Sequence, residues 1–498
     1  MSAVSSHQIE EKILPIVKSF LNSNGERHKI DISPASQPGE NYLGLIYTVT
    51  ITDKKDEKLH LIIKLAPFQE HYRNIFPIKE VYNREIFFYQ NVSTELVRIQ
   101  EEMGISDVFQ PFPKLYLTRT QDRGEALVMD NMKKKSFTTV SQRVEADYPH
   151  ALLVMRDLGK LHALSYAIKD HKPDTFKYFE QNLQESFYNS SFLESVIEMI
   201  VPLGNKVLKS YDAEKESLHF ESLKGSLEKA ADTLRSLLEV GEYCVINHGD
   251  AQTRNFLFRY GDPTHPSEPT ELCMLDWQLV RIGSPALDIL FFIFVCTNQE
   301  LRSKYYTRLL EEYYSSLSDV LRRLGSDPAK LLPYDVLMDH LRECAPYGLI
   351  MAVLLIAMNM KESKNVPDLY NWTADQAIVE EFAVVPSDEY VTRVREIEIS
   401  AATKPGDNYL GIIYNVTITD NEDETNPELH LTIKLAPFQE VYRNVFPIKE
   451  IYDREIFFYD NVSTEFINIQ EEMGVEQVFR LFPEHYLTKM KEREKRRS

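Results

Sequence analysis

Residues 245–258 read VINHGDAQTRNFLF. An apolar lead runs into His248-Gly249-Asp250, Asn255 follows in the same loop, and the apolar run Phe256–Phe258 comes next. After a turn rich in Pro and Gly, CMLDWQ (273–278) sets Asp276 at the end of another apolar strand. RIGSPALDIL (281–290) then supplies Gly283, Pro285 and Asp288. Any one Asp or Asn here reads as a turn residue. The set at this spacing matches the needs of phosphoryl transfer. That chemistry needs a carboxylate for the attacking hydroxyl, oxygen ligands for Mg²⁺ on the phosphates, a lysine against phosphate charge, and a group to place the lysine. Asp250 is read as the base, and Asn255 and Asp276 as hard oxygen ligands for Mg²⁺. His248 is read as structural, holding the loop through its ring, and Asp288 as a brace for the loop or a helix cap.

The lysine lies upstream. YLGLIYTVTIT (42–52) alternates apolar and polar residues and is rich in β-branched ones, which predicts a strand. A charged turn, 53–58, leads to a second strand, 59–65, near whose end stands Lys64. Residues 78–92 carry apolar residues at helical spacing around Glu80, Arg84 and Glu85, and Glu85 is the candidate ion-pair partner of Lys64. Short strands are predicted at 112–118 and 126–129. From about residue 148 the pattern is helical (148–168, 191–209, 217–239, 299–325, 336–361), interrupted by β-like stretches at 243–260 and 271–280. A small β-rich lobe thus precedes a larger helical lobe, with a linker near 130–135; the class is α+β.

HGD-x₄-N followed by D-x₆-G-x-P-x-x-D resembles the signature of choline and aminoglycoside kinases. PGENYLGLIYTVTI, the IIKLAP strand, REIFFY and DWQLVRIGSPALDILFF together resemble the insect ecdysteroid-kinase-like family, also called CHK-kinase-like. The resemblance spans roughly 8–370, and again 396–488 for the N-terminal part alone. It implies a two-lobed protein-kinase-like fold with ATP in the cleft and Lys64 at the α/β-phosphates. It further implies that backbone groups of Asp130 and Met132, in the linker LVMDNM (127–132), meet adenine, and that residues 39–44, including Gly44, cover the phosphates. The acceptor would be a hydroxylated small molecule: an ecdysteroid, a xenobiotic or a conjugate. The chain departs from the family in one place. Where the family loop reads HGD-Leu-Trp-x-Asn-Asn, this one has Ala251-Gln252-Thr253-Arg254-Asn255 after Asp250. Asp130 stands where the family often has Glu. His162, in LGKLHALSY, is read as a core or helix-facing histidine.

The chain also repeats itself. IDISPASQPGENYLGLIYTVTIT (30–52) is answered by IEISAATKPGDNYLGIIYNVTIT (397–419), and HLIIKLAPFQEHYRNIFPIKEVYNREIFFY (60–89) by HLTIKLAPFQEVYRNVFPIKEIYDREIFFY (430–459). The second copy keeps Lys434 and Glu455 but has no counterpart of 120–390, so it is expected to be catalytically silent. Only SDEYVTRVRE (387–396) precedes its expected first strand. The organisation predicted is an N-lobe over 1–133, a C-lobe over 134–390, a truncated second N-lobe over 391–490 and a basic tail over 491–498.

Composition sets the outer bounds. A net charge of −20 over 498 residues repels phosphate backbones and anionic lipid, which argues against nucleic-acid and membrane partners. The start reads as an amphipathic helix rather than a signal peptide, and the apolar runs at 286–296 and 348–358 are too short to span a bilayer and read as core. Cys244, Cys273, Cys296 and Cys344 form no CxxC pair and sit among apolar neighbours, as buried reduced thiols of a cytoplasmic protein do. A protein kinase is disfavoured, since HRD, DFG and APE are missing. A non-catalytic pseudokinase that holds a ligand in the same cleft stays open. The sequence names neither the acceptor nor an oligomeric state.

Overall fold

The computed structural model describes residues 6–21, 28–35, 44–140, 145–185, 192–213, 216–236, 239–262, 264, 267–360, 387–402, 412–419 and 428–435. Helix α1 (Ser6–Leu21) precedes strands β1 (Lys29–Pro34), β2 (Leu45–Thr52) and β3 (Lys58–Leu65). Helices α2 (Glu70–Ile75), α3 (Ile78–Phe87) and α4 (Ser93–Glu102) follow, then β4 (Leu115–Arg119) and β5 (Ala126–Asp130). The strands form one antiparallel sheet in the order β1-β2-β3-β5-β4. The period-two pattern of β2 buries Leu45, Tyr47, Val49 and Ile51, and these pack with Ile13, Ile16 and Val17 of α1. Burying each such side chain contributes about 1.5–3 kcal/mol, so the pleat fixes which face of the sheet is covered. Lys64, one step along β3 from buried Ile63, is thereby turned to the opposite face. The helix expected over 78–92 runs on to Glu102 through a π-helical turn, Phe88–Val92.

The helical lobe begins with α5 (Tyr148–His171), capped by Asp147, whose side chain accepts the His150 N–H. Then come α6 (Pro173–Asn182), α7 (Phe192–Leu208), α8 (Ser217–Glu228) and α9 (Ala230–Ser236). Two strand pairs frame the loop of interest: β6 (Val245–Asn247) with β9 (Arg281–Gly283), and β7 (Phe256–Arg259) with β8 (Glu271–Met274). Helix α10 (Pro285–Cys296) is buried along its whole length. It is followed by α11 (Gln299–Arg323), α12 (Pro328–Leu331), α13 (Tyr334–Glu343) and α14 (Ala345–Asn359). Helices α5 and α11 cross closely at Gly159, where a Cβ would stand 2.4 Å from the Tyr313 carbonyl. The helices expected over 217–239 and 336–361 are each two, broken at Lys229 and Cys344. Pro346 accounts for the second break, since a proline near the start of α14 has no N–H to give the Arg342 carbonyl and its ring crowds that turn. Among the described residues no single helix is long and apolar enough to cross a membrane, although the pair Pro328–Glu343 and Ala345–Asn359, bent by 47°, passes on length and composition. All four cysteines are free and buried.

The chain divides into two units, Met1–Thr403 and Lys404–Ser498. The next described helix, α15 (Asp388–Ala402), belongs to the first. It runs through the IEIS sequence that was expected to open the second copy as a strand. Tyr390, Val391, Val394 and Ile397 recur at helical spacing and are buried, and the Tyr390 hydroxyl donates to the Val353 carbonyl at 2.9 Å. Burial against the helical lobe overrides the strand preference of a β-branched run. Residue 391, where the sequence reading begins the second copy, lies inside this helix. The second unit contains β10 (Ile412–Thr419) and β11 (Glu428–Leu435), antiparallel. Their register repeats that of β2 and β3, with Ile413 opposite Lys434 as Ile46 is opposite Lys64. Glu455 and the basic tail lie outside the described residues.

Candidate active site

Lys64 is 5% exposed, yet charged groups surround it. Its ammonium donates to Glu85 Oε2 at 2.6 Å and to Asp276 Oδ1. Burial works against the charge, but Asp276 and Glu85 together outweigh it and hold the lysine above its ordinary range. Burial and the neighbouring Asp276 raise Glu85 in turn, against the pull of Lys64. Asp276 sits in the left-handed region, φ 65°, two residues past the end of β8. Asp tolerates that conformation better than most residues. The turn lets its carboxylate reach Lys64 instead of continuing the strand.

The loop after β6 is tied at several points. Asp288, at the start of α10, accepts the His248 N–H at 2.6 Å on one oxygen and the Gly249 N–H at 2.9 Å on the other. Burial disfavours this carboxylate, yet His162, His248 and the Gly249 amide outweigh that and hold it below the usual range. The His248 Nε2–H donates to the Leu275 carbonyl at 2.9 Å, and its Nδ1 accepts the Asp250 N–H at 3.3 Å. Those partners require the neutral ring, and burial lowers its pKa accordingly. His248 therefore links the loop to the strand that delivers Asp276. Gly249 has φ +83°, and a Cβ there would stand 2.0 Å from the Leu279 carbonyl oxygen.

Asp250 is clamped by two amides. Gln252 Nε2 donates to Oδ1 at 2.7 Å and Asn255 Nδ2 to Oδ2 at 2.8 Å; the latter also reaches the Asp250 carbonyl at 3.0 Å. Burial, then the charge of Asp276, pushes Asp250 up to about 6, against the two amide donors. With its nitrogen committed to Asp250, Asn255 has its carbonyl oxygen left as a ligand atom. That oxygen and the Asp276 carboxylate are hard donors of the kind Mg²⁺ takes, alongside phosphate and water. Among the described residues no group of three or more His, Cys, Asp or Glu could hold a metal by itself. The residues thus fit a metal that arrives with a nucleotide.

The remaining expected residues are placed less centrally. Asp130 donates its N–H to the Lys114 carbonyl at 3.0 Å, and its carboxylate meets the Tyr116 hydroxyl at 2.8 Å and Lys135 at 2.6 Å. Its carbonyl is then the main-chain group it has for a ligand. Met132 opens the short 3-10 turn Met132–Lys135. Gly44 lies against the lysine: a Cβ there would stand 2.6 Å from the Tyr82 hydroxyl oxygen and 3.3 Å from Lys64 Cε. The rest of the expected phosphate cover, 39–43, lies outside the described residues. His162 is buried, as read, and bonds both the Tyr313 hydroxyl at 2.8 Å and Asp288 at 3.3 Å.

Several neighbours were not found by sequence. Gln252 was visible only as a departure from the family loop. Arg281, 1% exposed, pairs with Glu185 at 3.3 Å and with the Tyr347 hydroxyl at 2.7 Å. Trp277 stacks on Phe88. Nothing in the local spacing marks these long-range partners.

Comparison with known proteins follows the same division. The model of a family described as the ecdysteroid kinase-like family matches residues 38–326 and 405–496. No curated protein matches the chain. Among solved structures, the GDP complex of an aminoglycoside 2'-phosphotransferase IIIa mutant is 11% identical, covering 80% of this chain and 99% of its own, with a TM-score of 0.35. An apo macrolide 2'-phosphotransferase from Brachybacterium faecium is also 11% identical, covering 70% of this chain and 98% of its own, with a TM-score of 0.31.

Proposed function

The chain belongs to the ecdysteroid kinase-like family, and on that premise we propose that it transfers the γ-phosphate of ATP to a hydroxyl of a small molecule at Asp250. The acceptor class we assign is ecdysteroids, hydroxylated xenobiotics or their conjugates. The observation that carries the reading is the meeting, across the two lobes of the first unit, of Lys64–Glu85 with Asp276 beside the amide-clamped Asp250.

Asp250 accepts a hydrogen bond from the attacking hydroxyl and orients it. With a pKa of about 6 it is ionised at neutral pH yet basic enough to take the proton as the new bond forms. Lys64, held by Glu85, neutralises phosphate charge. Asn255 and Asp276 would hold Mg²⁺, which supplies charge neutralisation on the phosphates when bound. The protein's own contribution is mainly positioning plus charge neutralisation. The buried thiols suit a reducing compartment, and we place the protein in the cytoplasm.

The test is to incubate the full chain with ATP, Mg²⁺ and a panel of ecdysteroids, sterols and glycosides, and to search by mass spectrometry for a product heavier by one phosphate. Asp250→Asn is the control. Equal turnover in that variant sinks the assignment. Stabilisation by nucleotide with no phosphorylated product from any acceptor favours a pseudokinase.

A further inference from the structure

Glu85 and Phe88 stand one turn apart on one helix face. Glu85 reaches Lys64. Phe88, the residue at which the helix widens to its π-helical turn, stacks on Trp277 with ring centroids 3.8 Å apart and planes 8° from parallel. Both rings are fully buried. Trp277 directly follows Asp276, and its indole N–H donates to the Met274 carbonyl at 3.2 Å, closing the turn around that aspartate. Its ring also lies 4.5 Å from the His248 ring, tilted by 44°, and Phe112 packs edge-on at 6.3 Å. One side chain therefore touches the helix that carries Glu85, the turn that carries Asp276 and the loop that carries Asp250.

We propose that Trp277, seated on Phe88, is a positioning residue for phosphoryl transfer. The stack sets where Asp276 and the His248–Asp250 loop stand relative to Lys64. A charge contact between Lys64 and Asp276 tolerates many angles, whereas two flat rings in face contact fix both separation and tilt. Asp276 holds a left-handed conformation with Trp277 as its immediate neighbour, so a shift of the indole turns the carboxylate with it. The inference rests on the kinase reading above.

The experiment compares Phe88→Leu, Trp277→Leu and Trp277→Phe in the full chain, reading kcat, KM for each substrate and the melting temperature. Well below melting, the two leucine variants should lose at least roughly tenfold in kcat, with KM for the acceptor nearly unchanged. Trp277→Phe, which keeps a ring, should recover most of that loss. A folded Phe88→Leu protein with wild-type kcat, whatever its melting temperature, overturns the proposal. A second arm does not need the leucine variants to fold. The chain has two tryptophans, Trp277 and Trp372, so Trp372→Phe leaves Trp277 as the one indole emitter. Its emission should shift as Mg–ATP saturates the protein. Unchanged emission while thermal stabilisation shows nucleotide bound overturns the proposal. Wild-type protein that binds nucleotide and yields no product defeats the kinase reading instead, and the emission arm still reports on the coupling.

Discussion

Asp288 accepts the main-chain N–H of Gly249 at 2.9 Å, and its other oxygen takes that of His248. A carboxylate at the head of α10 thus fixes the backbone of the loop just before Asp250. Asp288→Ala leaves two buried donors unmet and should cost roughly 3–5 kcal/mol in urea unfolding. The pH dependence has a definite sign. Asp288 is held below the usual carboxylate range in the folded protein. Its stabilisation is therefore complete above the unfolded-state range and is lost as pH falls through the folded value. Wild type should lose more stability on acidification than Asp288→Asn does.

Gly249 tolerates no side chain. Its φ of +83° costs an L-residue of order 1–3 kcal/mol, and a Cβ 2.0 Å from the Leu279 carbonyl forces backbone movement besides. Gly249→Ala should lower both the melting temperature and kcat. Thermal denaturation with steady-state turnover checks it, and wild-type values for both would count against the loop geometry.

As the proposed base, Asp250 should set the acid limb of activity. Its carboxyl is raised to about 6, so kcat/KM for the acceptor should fall as pH drops through that value, well above the ordinary aspartate range. The same shift is a stability cost. A carboxyl raised in the folded state binds its proton more tightly there, so ionisation above about pH 6 disfavours the fold. Asp250→Asn should abolish turnover while melting higher than wild type at pH 7.5, with the gain shrinking towards pH 5.

Lys64 and Glu85 should not behave additively. Lys64→Met leaves Glu85 and Asp276 without their cation, and breaking a buried pair costs about 3–5 kcal/mol. Adding Glu85→Gln removes one stranded charge and should restore part of that stability. Both proteins should lose at least about a hundredfold in kcat. A double-mutant cycle on melting reads the coupling, and strict additivity would contradict the contact.

The second copy should be silent. Lys434 occupies the register position of Lys64, but no residue of its copy corresponds to Asp250, Asn255 or Asp276. Lys434→Met should leave kcat and KM within error of wild type, measured beside Lys64→Met.

The parts of the site legible in sequence are those whose signal is local. His248 to Asn255 share one loop, Asp276 follows closely on one strand, and Lys64 and Glu85 sit on β3 and α3, whose periodicity is plain. Gln252 was read as a loss relative to the family loop, and the fold shows it bonded to Asp250. The Arg281–Glu185 pair and the Phe88–Trp277 stack join residues far apart in the chain, so no window of sequence contains both partners. The breaks at Lys229 and Cys344 escaped because apolar spacing continues through them.

The IDIS of the first copy is strand β1, while the near-identical IEIS of the second lies in α15. The seam of the duplication in sequence is therefore not a seam in the fold. Anyone excising the second copy where the letters begin to repeat would cut through α15 and remove buried Ile397 from the first unit. A cut placed after Ala402 keeps Tyr390, Val394 and Ile397 seated; a cut at residue 391 strips Val394 and Ile397 from the helical lobe and leaves its apolar face open to water.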